Sequence, residues 1–231
     1  MTAAQRRMLI IGLVPVLVLV ITGAALTVSS IRGKLPYSYS ASFAPGAQGV
    51  RVVSEVPAQL LASTDGQVHV AVDGSYAVAK PVIEVTTTGG LLTVHTSCPD
   101  AHCTVDVAVE VPTASEVQAK VDGASLDAVG VSSPLAVDVN DGSVDMTRLR
   151  SSRVSVDARR GSIHLLFDTA PDQVTATASD GSLTVQLPRT TTYAIDSVAA
   201  QGSNQLDIPN DQSSTHHVYL RTSYGSITVG G

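Results

Sequence analysis

Tryptophan is absent from this 231-residue chain, and phenylalanine and tyrosine together number eight. A core must therefore be assembled from Val, Leu, Ile and Ala, and flat aromatic platforms are scarce. Methionine occurs three times, and the other strong helix formers, Glu, Lys and Gln, are thin throughout. Val, Thr, Ser, Gly and Asp dominate after the first segment, the mix of short strands joined by tight turns. The composition predicts an all-β fold, in one large domain or two small ones.

Positive charge is the next shortage. Residues 1–34 carry Arg6, Arg7, Arg32 and Lys34 and no acid, which leaves ten basic against 20 acidic residues over 35–231. A surface that acidic repels nucleic acid, so DNA or RNA binding is not expected.

From Met8 to Val28 the chain runs 21 residues without a charge. At about 1.5 Å per residue such a run spans roughly 30 Å, a bilayer's hydrocarbon core. Pro15 is tolerable inside a membrane helix. Arg6 and Arg7 plus the α-amino group on one flank, against Arg32 and Lys34 on the other, place the N-terminus in the cytoplasm. A cleaved signal peptide cut near Gly23-Ala24-Ala25 is the competing reading. The run is long for a signal h-region, and no A-x-A site closes it. The expected organisation is a cytoplasmic tail (1–7), a transmembrane helix (8–28), a stalk (29–48), N-terminal β coils or a cap (49–121) and regular repeats (122–231). The bulk of the chain is then extracytoplasmic on a single-pass anchor in the cell membrane.

The two cysteines fit that compartment. Cys98-Pro-Asp-Ala-His-Cys103 is a short turn-rich segment between strands, and outside the cytoplasm a disulfide closing it is the expected state. C-x4-C lacks metal-site spacing, and His102 alone cannot complete a tetrahedral site.

The strongest signal is a repeat. A Gly-Ser pair followed by alternating apolar residues occurs as DGSVDM (141–146), RGSIHL (160–165), DGSLTV (180–185), QGSNQL (201–206) and YGSITV (224–229). A looser copy, DGASLDA, begins at Asp122, and its Leu126 sits three after the glycine rather than two. The glycines, at 123, 142, 161, 181, 202 and 225, are spaced by 19 to 23 residues. Val144 and Met146, Ile163 and Leu165, Leu183 and Val185, Leu206 and Ile208, and Ile227 and Val229 alternate with period two. So do Val154 and Val156 and Val174, Ala176 and Ala178 before the turns. Each repeat reads as two half-buried strands joined by a glycine turn, unable to bury its apolar face except against its neighbours. The expected fold is a single-stack β-solenoid, β-helix-like, of about 20-residue coils, preceded by the one transmembrane helix. In residues 36–121, segments such as Gln67–Val72, Pro81–Val85 and Leu91–Val94 alternate and end at Asp65-Gly66, Asp73-Gly74 and Gly89-Gly90.

Thr104-Val-Asp-Val-Ala-Val-Glu-Val-Pro112, Val117 to Gly123, and the coils ending in Gly181-Ser-Leu-Thr-Val-Gln-Leu-Pro188 resemble the bacterial putative-adhesin β-strand-repeat family. The resemblance covers about residues 40–230. It implies a domain of unknown function behind a membrane segment and carries over no catalytic residues.

Chemistry is sparse. His69, His95, His102 and His164 stand singly, and His216 and His217 have no acid or cysteine at ligand spacing. No nucleophile elbow, S-x-x-K signature or phosphate-binding glycine loop occurs. In a regular stack Asp122, Asp141 and Asp180 would occupy equivalent turn sites, a carboxylate ladder able to hold Ca2+. The calcium-solenoid motif is absent, however, and Arg160 would interrupt the ladder. No metal or cofactor is expected. Five of the ten basic residues after position 34 lie close together: Arg148, Arg150, Arg153, Arg159 and Arg160. They read as a solvated face or as a contact for an anionic partner.

The function expected is a non-enzymatic, adhesin-like scaffold or interaction module of the bacterial cell envelope. Its partners would be the membrane and an envelope polymer or another envelope protein. The alternatives are a β-helical polysaccharide-active enzyme, which needs paired carboxylates in a cleft, and an envelope-sensing regulator acting through a membrane partner.

Overall fold

The computed structural model describes residues 33–231. The expected tail at 1–7 and transmembrane helix at 8–28 lie outside the described residues. Within them every regular element is a strand. The first seven are β1 (Leu35–Phe43), β2 (Gly49–Ser54), β3 (Ala58–Ala62), β4 (Val68–Tyr76), β5 (Val82–Thr88), β6 (Leu91–Ser97) and β7 (Thr104–Val111). The middle of the chain forms β8 (Val117–Asp122), β9 (Leu126–Val129), β10 (Leu135–Asn140), β11 (Val144–Leu149), β12 (Arg153–Arg160), β13 (Ile163–Phe167), β14 (Gln173–Asp180) and β15 (Leu183–Gln186). The last four are β16 (Ala194–Gln201), β17 (Asn204–Leu206), β18 (His217–Tyr224) and β19 (Ile227–Gly230).

These strands make two sheets. One runs β1-β4-β7-β3-β9-β11-β13-β15-β19-β17, the other β16-β18-β14-β12-β10-β8-β2-β6-β5. From β8 to β15 consecutive strands alternate between sheets, so each pair is one coil and each coil lies parallel on the last. Inward residues form columns. Val144 pairs with Ile163, Ile163 with Leu183 and Leu183 with Ile227, and all four are 1% exposed or less. Each such side chain contributes about 1.5–3 kcal/mol of transfer free energy. Val, Leu, Ile and Ala supply nearly all of this core, with Met146 and Phe167 filling single gaps.

The glycine at each turn is required by close approach. A Cβ on Gly181 would stand 2.1 Å from the Gly161 carbonyl oxygen, and one on Gly161 would stand 1.9 Å from that of Gly142. The amide N–H groups of Gly142, Gly161, Gly181 and Gly225 donate to the neighbouring coil, Gly161 to the Asp180 carbonyl and Gly181 to that of Tyr224. The loose copy at 122 holds one extra residue. Gly123 is left-handed (φ 70°) with open space around it, and Ala124 takes the place beneath Gly142.

Chain order and stacking order part company at both ends, so the single stack does not wind strictly in sequence. β18 and β19 insert between the β14/β15 coil and the β16/β17 coil. Likewise β6 and β7 fill the slot between β2/β3 and the outer strands β4 and β5. At each end the chain runs one level too far and returns to fill the gap. Those outer strands are also antiparallel, β4 on β7, β5 on β6 and β1 on β4. The expected stalk at 29–48 therefore needs correcting, because nine of its residues form β1. Tyr37, Tyr39 and Phe43 on its inner face pack on the core, while Ser38, Ser40 and Ser42 face out. Asp73-Gly74 likewise ends no strand. β4 continues to Tyr76, and Gly74 is needed because a Cβ there would stand 2.2 Å from the Thr104 carbonyl oxygen.

Candidate interaction surface

Charged side chains keep to the outside. The buried polar residues are hydroxyls only, among them Ser54, Thr96, Ser133, Ser151 and Thr222. Four of these donate to backbone carbonyls: Ser54 to Val56, Ser133 to Pro112, Ser151 to Val131 and Thr222 to Gly181. They tie neighbouring segments together. Among the described residues the one buried ionisable side chain is Tyr193, whose hydroxyl donates to the Pro188 carbonyl at 2.9 Å and whose burial raises its pKa.

The five arginines fall on two opposite edges of the stack. Arg148 and Arg150 lie where β11 leaves its sheet and Arg153 where β12 begins, while Arg159 and Arg160 lie at the Gly-Ser turn. Arg160 is held by both carboxylate oxygens of Asp141, and its guanidinium keeps the Asp141 carboxyl below the ordinary range. Arg150 pairs with Asp168 at 3.7 Å. Arg148, Arg153 and Arg159 make no ion pair among the described residues.

Arg148 differs from the rest. Between Met146 and Leu149 the pairing with β13 slips by one residue, and Arg148 takes a left-handed backbone (φ 54°). That conformation costs an L-residue about 1–2 kcal/mol. The bulge reverses the alternation, so Leu149 stays buried and Arg148 stays outside. Arg148 and Arg150 line a groove of about 370 Å3 with Leu61, Glu110, Val129 and Gly130. Nothing in the spacing of the sequence signals this bulge.

The turn carboxylates do not stand at equivalent positions. Asn140 is level with Asp122, and its side-chain amide donates to it at 2.8 Å. Asp141 lies one residue further along, because Gly123 adds a residue to the earlier turn. Arg160 is level with Asp180 and bonded to Asp141. Elsewhere Asp127, Asp145 and His164 stand side by side on an outer face. Burial, and then the Asp145 charge, raise the Asp127 carboxyl above its ordinary value. Asp145 lies 3.4 Å from the His164 ring. This row lies on the outward face of a sheet, with Asp127 also bordering a shallow depression of about 190 Å3 beside Gln59 and Asp106.

Cys98 and Cys103 are joined in a disulfide, in the loop between β6 and β7. Asp100 within that loop accepts the N–H of Ala79 (2.9 Å) and of His102 (2.7 Å), so the closed loop also braces the β4–β5 connection. Exposed large apolar residues divide between the ends: Leu35, Val78 and Val82 at one, Val198, Leu206, Tyr219 and Tyr224 at the other.

The family model described as Toastrack DUF4097 matches residues 61–229. The chain belongs to this family. Among solved structures, the Toastrack chain is similar to a putative cell adhesion protein from Clostridium sporogenes, at 13% identity and a TM-score of 0.47, over 85% of this chain and 99% of that one. It is also similar to a putative adhesin from Bacteroides fragilis, at 15% identity and a TM-score of 0.49, over 84% of this chain and 96% of that one. No curated protein matches the Toastrack chain.

Proposed function

We propose that this Toastrack protein is a membrane-anchored, extracytoplasmic, non-enzymatic β-solenoid that presents rigid surfaces to other components of the cell envelope. The observation that carries the reading is the dispersal of its ionisable groups. They are spread over the outer faces and edges of the coils, and the buried polar set is hydroxyls bonded largely to backbone carbonyls. The Cys98–Cys103 disulfide, the acidic surface and the uncharged run at 8–28 support the compartment and the anchor. A polysaccharide-active enzyme is disfavoured because the carboxylates that stand level on neighbouring strands, Asp127 with Asp145, Asp138 with Asp157 and Asp73 with Asp106, lie on outward faces of the sheets.

Within this reading the Arg148–Arg150 groove contacts an anionic envelope polymer. An arginine held in a left-handed backbone where glycine or asparagine would be easier, free of any ion pair and beside a second guanidinium, is an arrangement suited to sugar phosphates or carboxylates. The test uses the full chain in lipid nanodiscs and a purified anionic wall polymer. Binding should weaken with salt and be lost in the Arg148→Ala, Arg150→Ala double variant, but kept in Arg159→Ala, Arg160→Ala. Equal loss in both, or no binding by the parent, would refute the groove as the contact.

A further inference from the structure

The N-terminal corner of the stack gathers features that the adhesive reading leaves unexplained. Leu35 pairs with Tyr76, Ser75 with Thr104 and Val82 with Ser97. The start of β1, the β4–β5 loop and the disulfide loop therefore meet at one place. Val78 in that β4–β5 loop is 78% exposed, the most exposed large apolar side chain described, and Leu35 is 53% exposed. Tyr37 and Tyr76 pack edge to face beside them, 6.1 Å between centroids. Lys34 and Lys80 flank the patch and are both exposed. The acid of the disulfide loop, Asp100, is spent on backbone N–H groups and neutralises neither lysine.

This is also where the chain departs toward the uncharged run. Because β1 begins at Leu35, six residues, 29–34, separate it from Val28. Fully extended, six residues span at most about 20 Å, of which roughly 5–8 Å is taken up by the headgroup layer outside the hydrocarbon. The corner cannot stand far from the bilayer. Apolar side chains and tyrosines flanked by lysines are the set that favours the membrane interface, aromatics at headgroup level and ammonium groups against lipid phosphate.

We propose that this corner is a foot. Leu35, Tyr37, Tyr76 and Val78 seat in the headgroup region of the membrane that holds the anchor, with Lys34 and Lys80 on anionic lipid, so that the stack is held in a defined orientation rather than swinging on a tether. The disulfide, through Asp100 and Ala79, holds the Val78 loop in place for that contact. The inference rests on the anchor reading.

The chain has no tryptophan, so a single substitution makes a unique reporter. Full chains carrying V78W, or Y224W at the opposite end, are reconstituted into vesicles of mixed zwitterionic and anionic phospholipid. An alkaline wash checks membrane retention first. With the chain retained, V78W should emit to the blue of Y224W and be quenched by lipids brominated in the upper acyl chain, while Y224W is not. Because tryptophan itself favours the interface, V78W is also combined with Lys34→Glu and Lys80→Glu, which should reduce the quenching in anionic vesicles. A retained chain whose V78W emits like Y224W and is not quenched overturns the foot alone, as does quenching indifferent to both lysine changes. Release by the wash overturns the anchor reading and the foot with it.

Discussion

At the N-terminal end of the stack the outermost strands lie antiparallel, whereas at the C-terminal end every strand stays parallel and side chains cover the last edge. The outward backbone groups of Ile195 in β16 are met by the amide of Asn210, which accepts the Ile195 N–H at 2.9 Å and donates to its carbonyl at 2.8 Å. Gln212 donates to the same carbonyl, and Asn204 donates to that of Ser197. One amide thus stands in for a residue of a missing strand. The N-terminal end instead closes on a Gly89-Gly90 hairpin, left-handed at both residues, on inward tyrosines and on a disulfide. The coils between them are specified by repetition. Each terminus of a stack has an open face and must be closed by local chemistry, which need not repeat.

The largest effect should come from breaking what both ends depend on. Leu183 is fully buried between Ile163 and Ile227, at the level where the out-of-order β18/β19 coil enters. Leu183→Asp should cost on the order of several kcal/mol in chemical unfolding. Hydrogen exchange should accelerate in β13, β15 and β19, then at the C-terminal end before the N-terminal one. A variant as stable as Ser182→Ala, whose hydroxyl only accepts a 3.2 Å bond from Ser226, would refute the column.

That column was legible in the sequence, because period-two alternation and a glycine every 19–23 residues say which side chains face in and which turns align. The stacking order was not. Period identifies inward residues without saying which coil lies next, and the QGSNQL and YGSITV copies are equally good neighbours for DGSLTV. β1 was partly legible: Tyr37, Tyr39, Ala41 and Phe43 alternate with Ser38, Ser40 and Ser42, a strand signal outweighed by the Ser, Gly and Pro around it. Of the candidate site, the disulfide and the Arg160 interruption of the acid row could be read from spacing. The bulge that sets Arg148 apart depends on a pairing slip between strands and leaves no local mark.

The next prediction sharpens the contrast at the N-terminal end. Replacing Cys98 and Cys103 by serine reopens a loop with a sequence separation of five, for which chain entropy assigns about 2 kcal/mol. Exchange should rise in residues 76–104 and stay unchanged in β16–β19. Uniform destabilisation would mean that the ends are not independently closed.

The mirror experiment is Asn210→Ala. It leaves the Ile195 N–H without its partner and the carbonyl with Gln212 alone, at a cost of about 1 kcal/mol. Faster exchange should be confined to β16 and the 207–216 loop. Unchanged exchange at Ile195 would show that solvent serves the edge as well as the amide does.

The smallest effect tests the N-terminal end by pH. Asp65 accepts the Gln67 N–H, contacts the His69 ring and accepts from the Ser63 hydroxyl, each at 2.9 Å. In that order these contacts lower its carboxyl from 3.8 to about 2. His69 in turn lies 2.8 Å from the Ser42 hydroxyl, so the cluster links the β3–β4 turn to β1. A carboxyl depressed in the folded state binds fewer protons there than in the unfolded chain. Its contribution is therefore complete above the ordinary value of 3.8 and is lost as pH falls through about 2. Because the group is exposed the effect on global stability should be slight, and the readout is local. Carboxyl resonances followed by NMR should place the Asp65 midpoint near 2, and protection around Ser42 and His69, measured against the intrinsic exchange rate at each pH, should fall as the pH is lowered from 4 toward 2, with the Asn210 cap unaffected. In Asp65→Asn that pH dependence should vanish. A midpoint at the ordinary value would mean that these contacts do not persist in solution and that β1 is held by its backbone pairing with β4 alone.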